Sequence, residues 1–125
     1  MRRLSCTSAA LLLMLAGCGD DKPDPAATAE LDYRLGFQAI EAHDFAKAAE
    51  LLSEAAALTP DDPYIQLNLG VAYQNLGQLD KARAAYQHAV ETGKDLRPAR
   101  VTDPHYVARS VADLARDNLA SLPPP

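Results

Sequence analysis

Three histidines, two cysteines and two adjacent pairs of aspartates are the residues of this 125-residue chain best suited to chemistry. Zinc needs imidazoles that converge, which on a helix means a spacing of three or four residues. His43, His88 and His105 are not so spaced. His43 reads as a turn residue, His88 as a solvated helix position and His105 as part of the first turn of a late helix. Nucleophilic catalysis needs an activated serine or thiol beside a base, and phosphate binding needs a glycine-rich loop. The sequence contains neither pattern. Asp20-Asp21 lies in a polar linker. Asp61-Asp62 precedes Pro63, where capping of a helix explains it without catalysis. The expectation is no enzyme, with no catalytic residue, no cofactor and no metal site.

Charge and composition narrow the partners. The formal charge is −5, with 12 basic and 17 acidic residues. Nucleic-acid binding needs a basic footprint, so no nucleic-acid partner is expected. The apolar fraction of 48% is largely Ala and Leu, and Trp is absent. That composition favours helices.

The start of the chain has the order of a secretory leader: Arg2-Arg3, then an apolar run from Ala9 to Ala16, then small residues. The run is far shorter than the ~20 residues of a spanning helix. Leu15-Ala16-Gly17-Cys18 resembles the lipobox of bacterial lipoproteins. The resemblance implies a signal peptide over 1–17, cleavage before Cys18 and lipidation of Cys18. Cys6 then leaves with the leader, and neither cysteine can form a disulfide within the mature chain. Arg2 and Arg3 also leave, so 10 basic residues face 17 acidic ones. Several acyl chains anchor stably where one does not. By the same resemblance, Gly19 after the lipidated cysteine favours the outer membrane over the inner, with the protein facing the periplasm. Residues 18–29 read as the lipidated cysteine and a flexible tether, polar and interrupted by prolines.

The elements that follow repeat with a period of 34. Leu35-Gly36 returns as Leu69-Gly70, Ala48 as Ala82, Ala55 as Ala89, and Leu52 is matched by Tyr86. A period of this length marks stacked helical units. Leu31, Leu35, Ala39 and Ala42 share a helical spacing, as do Ile65, Leu69, Tyr73 and Leu76. Second helices are predicted over about 44–58 and 79–91. Their inward stripes are Ala48, Leu52, Ala55 and Leu58, then Ala82, Tyr86, Ala89 and Val90. Small residues at Gly36, Ala48, Gly70 and Ala82 let the two helices of a unit approach closely. Gly77 suits a left-handed turn, and His43 stands at the equivalent place. Asp62 and Pro63 fit the N-cap and first position of a helix.

These residues resemble the tetratricopeptide repeat: Leu69-Gly70, Tyr73, Ala82, Tyr86 and Ala89 in the second unit, and Leu35-Gly36, Ala48, Ala55 and Pro60 in the first. The early Trp of the pattern is replaced by Asp32 and Gln66. The resemblance implies an all-α fold, a short α-solenoid of helix–turn–helix repeats at about 29–62 and 63–94. It also implies a concave groove lined by the first helices. The groove positions carry over as Glu30, Tyr33, Phe37, Ile40 and Glu41, then Tyr64, Leu67, Val71, Gln74 and Asn75. Family members that grip an acidic carboxyl terminus use Lys and Asn where this chain has Tyr33, Phe37, Leu67 and Val71, so an apolar segment or helix is the implied partner.

After Gly93 the period breaks, because the next Asp-Pro pair, Asp103-Pro104, comes seven residues late. A loop is predicted over 94–103 and a capping helix over 104–121, with Asp103 as its cap. Val107, Val111, Leu114, Ala115 and Leu119 share the apolar face of this helix. Pro123–Pro125 form a tail. If the capping helix folds over Tyr33 and Phe37, the groove floor is core; if it does not, the floor is a binding surface. The expected function is that of an envelope protein adaptor or assembly factor, for example for a pilus, a secretion apparatus or a cell-wall complex. The alternatives are a self-associating homodimer and a non-catalytic accessory subunit of an envelope enzyme.

Overall fold

A computed structural model describes residues 22–94 and 109–125. The leader, Cys18 and most of the loop predicted over 94–103 lie outside the described residues. Those residues form five helices and no strand. They are α1 (Pro25–Glu41), α2 (Phe45–Leu58), α3 (Pro63–Asn75), α4 (Leu79–Thr92) and α5 (Val111–Ser121). α1 packs on α2 and α3 on α4, which makes the two repeat units. α2 joins the units by packing on α3, and α5 closes against α4 and α3. The architecture is the short all-α solenoid that the period predicts.

Local chemistry sets each boundary. Asp44 Oδ1 accepts from the Lys47 amide (3.1 Å), and Asp62 Oδ1 accepts from the Tyr64 and Ile65 amides (2.9 and 3.2 Å). These bonds satisfy amides that a helix start leaves without intrahelical partners. His43 and Gly77 both turn with positive φ, 59° and 72°. Glycine takes that conformation at little cost and histidine does not. The His43 ring stands edge-on to Phe45, 5.7 Å between centroids.

Two boundaries differ from the sequence reading. Residues 25–29, expected as tether, are helical: α1 begins at Pro25, capped by Asp24 Oδ1 accepting from the Ala26 amide (3.0 Å), and Ala29 is buried. Asp24-Pro25 is the same cap-and-proline signal as Asp62-Pro63. The last helix begins at Val111, after non-helical Arg109 and Ser110. Asp103, its expected cap, lies outside the described residues, and the N-cap is Ser110. The Ser110 side chain accepts from the Asp113 amide (3.1 Å), and the Asp113 carboxylate accepts from the Ser110 amide (3.1 Å). This is a capping box. Bonds from the Ser110 side chain and backbone hold the Asp113 carboxyl below its usual range.

The core is made of small residues with a few large ones set among them. Ala48, Leu52, Ala55, Ala82, Tyr86 and Ala89 are fully buried, as the period requires. Leu58 is not; it is 42% exposed. One cluster joins Ala48, Ala49 and Leu52 of α2 to Leu69 and Ala72 of α3. A second joins Ala82 and Tyr86 of α4 to Leu122 just beyond α5. Ser53 Oγ and Tyr73 Oη, 3.1 Å apart, share a hydrogen bond across the α2–α3 junction. The Ala112 amide donates to the Gly93 carbonyl (3.1 Å), which fixes the start of α5 on the end of α4.

Candidate functional site

Tyr33 and Phe37 of α1 stand one helical turn apart, and Tyr64, Leu67 and Asn68 of α3 lie across from them. Val111 and Leu114 of α5 form the far wall. Together they bound a cleft of about 750 Å³ whose surface is mostly apolar. The question left by the sequence has a divided answer. α5 does not cover Phe37, which is 41% exposed. Leu122, just beyond its C-terminal end, instead partly covers the other half of the expected floor. Leu67 and Val71 pack against the cluster of Ala82, Tyr86 and Leu122.

The cleft brings together Glu30, Tyr33, Phe37, Tyr64 and Leu67 from the expected groove and leaves out the other five. Ile40 packs against the α2–α3 cluster. Val71 is core-facing, as described. Gln74 is a structural acceptor, its Oε1 receiving the Tyr86 hydroxyl at 2.7 Å. Asn75 is exposed and donates to the Val71 carbonyl of its own helix (2.8 Å). Glu41 is exposed and does not line the cleft.

The cleft also draws on residues outside the expected groove, among them Thr59, Asp62 and Ile65 at the passage from α2 to α3. Ala26 and Ala29 line the cleft because α1 starts early. The Asp24-Pro25 pair was the signal that could have found them. Asn68 also lines it, with Nδ2 donating to the Tyr64 carbonyl (2.9 Å) and lying 3.5 Å from Tyr33 Oη. Its polar type, one residue past Leu67 in a helix read for apolar anchors, gave no signal. Burial pushes the Tyr33 hydroxyl up, with the Asp62 and Glu30 carboxylates adding to it and the Asn68 bond opposing it.

The residues with other possible chemistry serve the scaffold. His88 is not purely solvated, since its Nε2 lies 3.2 Å from Asp61 Oδ1. That contact and the Asp62 cap employ both carboxylates of the Asp61-Asp62 pair. Among the described residues no three His, Cys, Asp or Glu side chains are grouped to hold a metal. No described helix is long and apolar enough to cross a membrane.

Tyr86, behind the cleft, carries a pH signature. Burial pushes its hydroxyl up to about 12, with Asn118 acting in the opposite direction. In the unfolded chain a tyrosine titrates near 10. The folded state holds the proton to higher pH, so this contribution to stability is whole below pH 10 and is lost as pH rises through 12. The urea midpoint is expected to fall between pH 10 and 12, and to fall less steeply in Tyr86→Phe. An equal fall in both would exclude Tyr86 as the source.

Comparison with known proteins adds one match. The family model of the tetratricopeptide repeat matches residues 39–102, from the last turn of α1 through α4 and beyond. No curated protein matches the chain. The matched segment spans just over half of the 125 residues and contains both second helices and the whole of α3. The chain belongs to the tetratricopeptide-repeat family.

Proposed function

We propose that this protein is a membrane-anchored envelope lipoprotein that holds a protein partner in the cleft between α1, α3 and α5. Membership of the family supports a role in protein–protein interaction. The observation that carries the reading is the half-open aromatic floor, with Phe37 41% exposed beside Tyr33 in a cleft of about 750 Å³. Concave apolar surface favours binding, and aromatic residues are frequent anchors. The leader and Leu15-Ala16-Gly17-Cys18 support lipidation at Cys18. Gly19 favours the outer membrane, facing the periplasm. The protein acts as an adaptor or assembly factor, a binding module with no turnover of its own.

The test is a crosslinked pull-down from envelope membranes, with wild type and Phe37→Glu compared. The partner is expected to be lost at least about tenfold in the variant, because a charge is placed on an apolar anchor. An unchanged far-UV spectrum shows that the fold survives, and retention of the same partner would overturn the reading. In the same preparation Cys18→Ser is expected to leave the membrane fraction or remain unprocessed. Unchanged attachment and mass would overturn the anchor.

A second reading, self-association, has its own observation. Leu31, Leu35 and Leu58 of the first repeat are 46%, 41% and 42% exposed. A dimer in light scattering that Leu35→Lys breaks would place the interface there.

A further inference from the structure

The cleft carries charge of one sign among the described residues. Of the described side chains that line it, Glu30 and Asp62 are acidic and none is basic. Elsewhere Glu50, Asp61, Asp113 and Asp117 each have a Lys, Arg or His partner. Glu30 and Asp62 have no ion-pair partner among the described residues. Asp62 is held in place, since its Oδ1 accepts two amides at the start of α3. Glu30 is exposed on α1, one helical turn before Tyr33. Both carboxylates act on the Tyr33 hydroxyl, which places their field inside the cleft.

A carboxylate beside apolar surface disfavours an acidic occupant and attracts a cationic one. The chain as a whole is also acidic, with a formal charge of −5. We propose that the cleft takes a peptide segment that combines apolar anchors with one basic side chain. The anchors rest on Tyr33, Phe37 and Leu114, and the lysine or arginine is held by Glu30 and Asp62. This rests on the reading of the cleft as a docking surface and names the chemistry of what docks.

The test is a selection. A random library of peptides of about 12 residues, roughly 18 Å as a helix, is displayed on phage and selected on the full chain in detergent micelles. Phe37→Glu serves to remove peptides that bind elsewhere. Recovered peptides are then titrated against wild type and against Glu30→Gln combined with Asp62→Asn. Asparagine caps a helix as well as aspartate does, so the start of α3 is kept. The expected result is Phe37-dependent peptides enriched in Lys or Arg beside apolar residues. They should bind about tenfold more weakly to the double variant, and more weakly in wild type as salt is added. Phe37-dependent peptides with no basic enrichment, or with equal affinity for the double variant, overturn this inference and leave the docking surface standing. Recovery of no Phe37-dependent peptide overturns both.

Discussion

Tyr86→Ala is expected to cost about 3–5 kcal/mol of stability, the range for a fully buried aromatic truncated to alanine. Tyr86 has no exposed surface and is among the largest fully buried side chains. Its ring fills the space left by Gly70 on α3 and belongs to the cluster that holds Ala82 and Leu122. Removing it opens a cavity where α3, α4 and the end of α5 meet, and neighbours as short as alanine cannot collapse into it. A domain of this size is stable by about 5–10 kcal/mol, so this one change removes a large part of the total. Tyr86→Phe keeps the ring and loses the hydroxyl's bonds to Gln74 Oε1 and Asn118, at about 0.5–1.5 kcal/mol each. Urea unfolding followed by far-UV circular dichroism separates the two. A loss below about 1 kcal/mol in Tyr86→Ala would mean that the ring is not the wedge between the helices.

How far the sequence could be read follows from which forces act within a repeat and which act between repeats. The 34-residue period located four helices because its small residues have local tasks. Gly36 and Gly70 face Leu52 and Tyr86, and Ala48 and Ala82 are fully buried. Leu35 and Leu69 occupy the same position in the period but differ in exposure. Leu69 is buried because Ala48, Ala49 and Leu52 of the preceding unit cover it. Leu35 is 41% exposed because no described helix precedes its own. Helical spacing shows that an apolar face exists and does not show whether a neighbour is present. The cleft was half legible for a related reason. Tyr33, Phe37, Tyr64 and Leu67 follow from the groove positions that the family resemblance carries onto α1 and α3. That Val71 and Gln74 become scaffold depends on where α5 lands after a break in the period, which is a long-range packing outcome. The early start of α1 is legible in Asp24-Pro25, but proline among polar residues suits a linker as well as the first position of a helix.

Gly70→Ala tests the same junction from the other side. In an exposed helix the change gains about 1 kcal/mol, because alanine is the better helix former. Here it is expected to cost about 1–3 kcal/mol net, in the range of overpacked cores. A Cβ built on Gly70 would stand 2.5 Å from Tyr86 Cδ1 and 3.0 Å from Cζ, with Cε1 also in contact. An aromatic ring with no exposed surface cannot swing aside, so α3 and α4 must separate instead. Gly36→Ala meets the equally buried Leu52 at 2.7 Å from Cγ and 3.0 Å from Cδ2, a milder overlap that a smaller displacement relieves. The first repeat should therefore lose less than the second. The two sides of the junction must also be coupled, since contacting residues depart from additivity by about 0.5–3 kcal/mol. In a Tyr86→Ala background the added methyl enters the cavity, and Gly70→Ala should become neutral or stabilising. Chemical denaturation of the four chains in this cycle measures the coupling directly. Equal costs of Gly70→Ala in both backgrounds would show that the glycine is not kept small by the tyrosine.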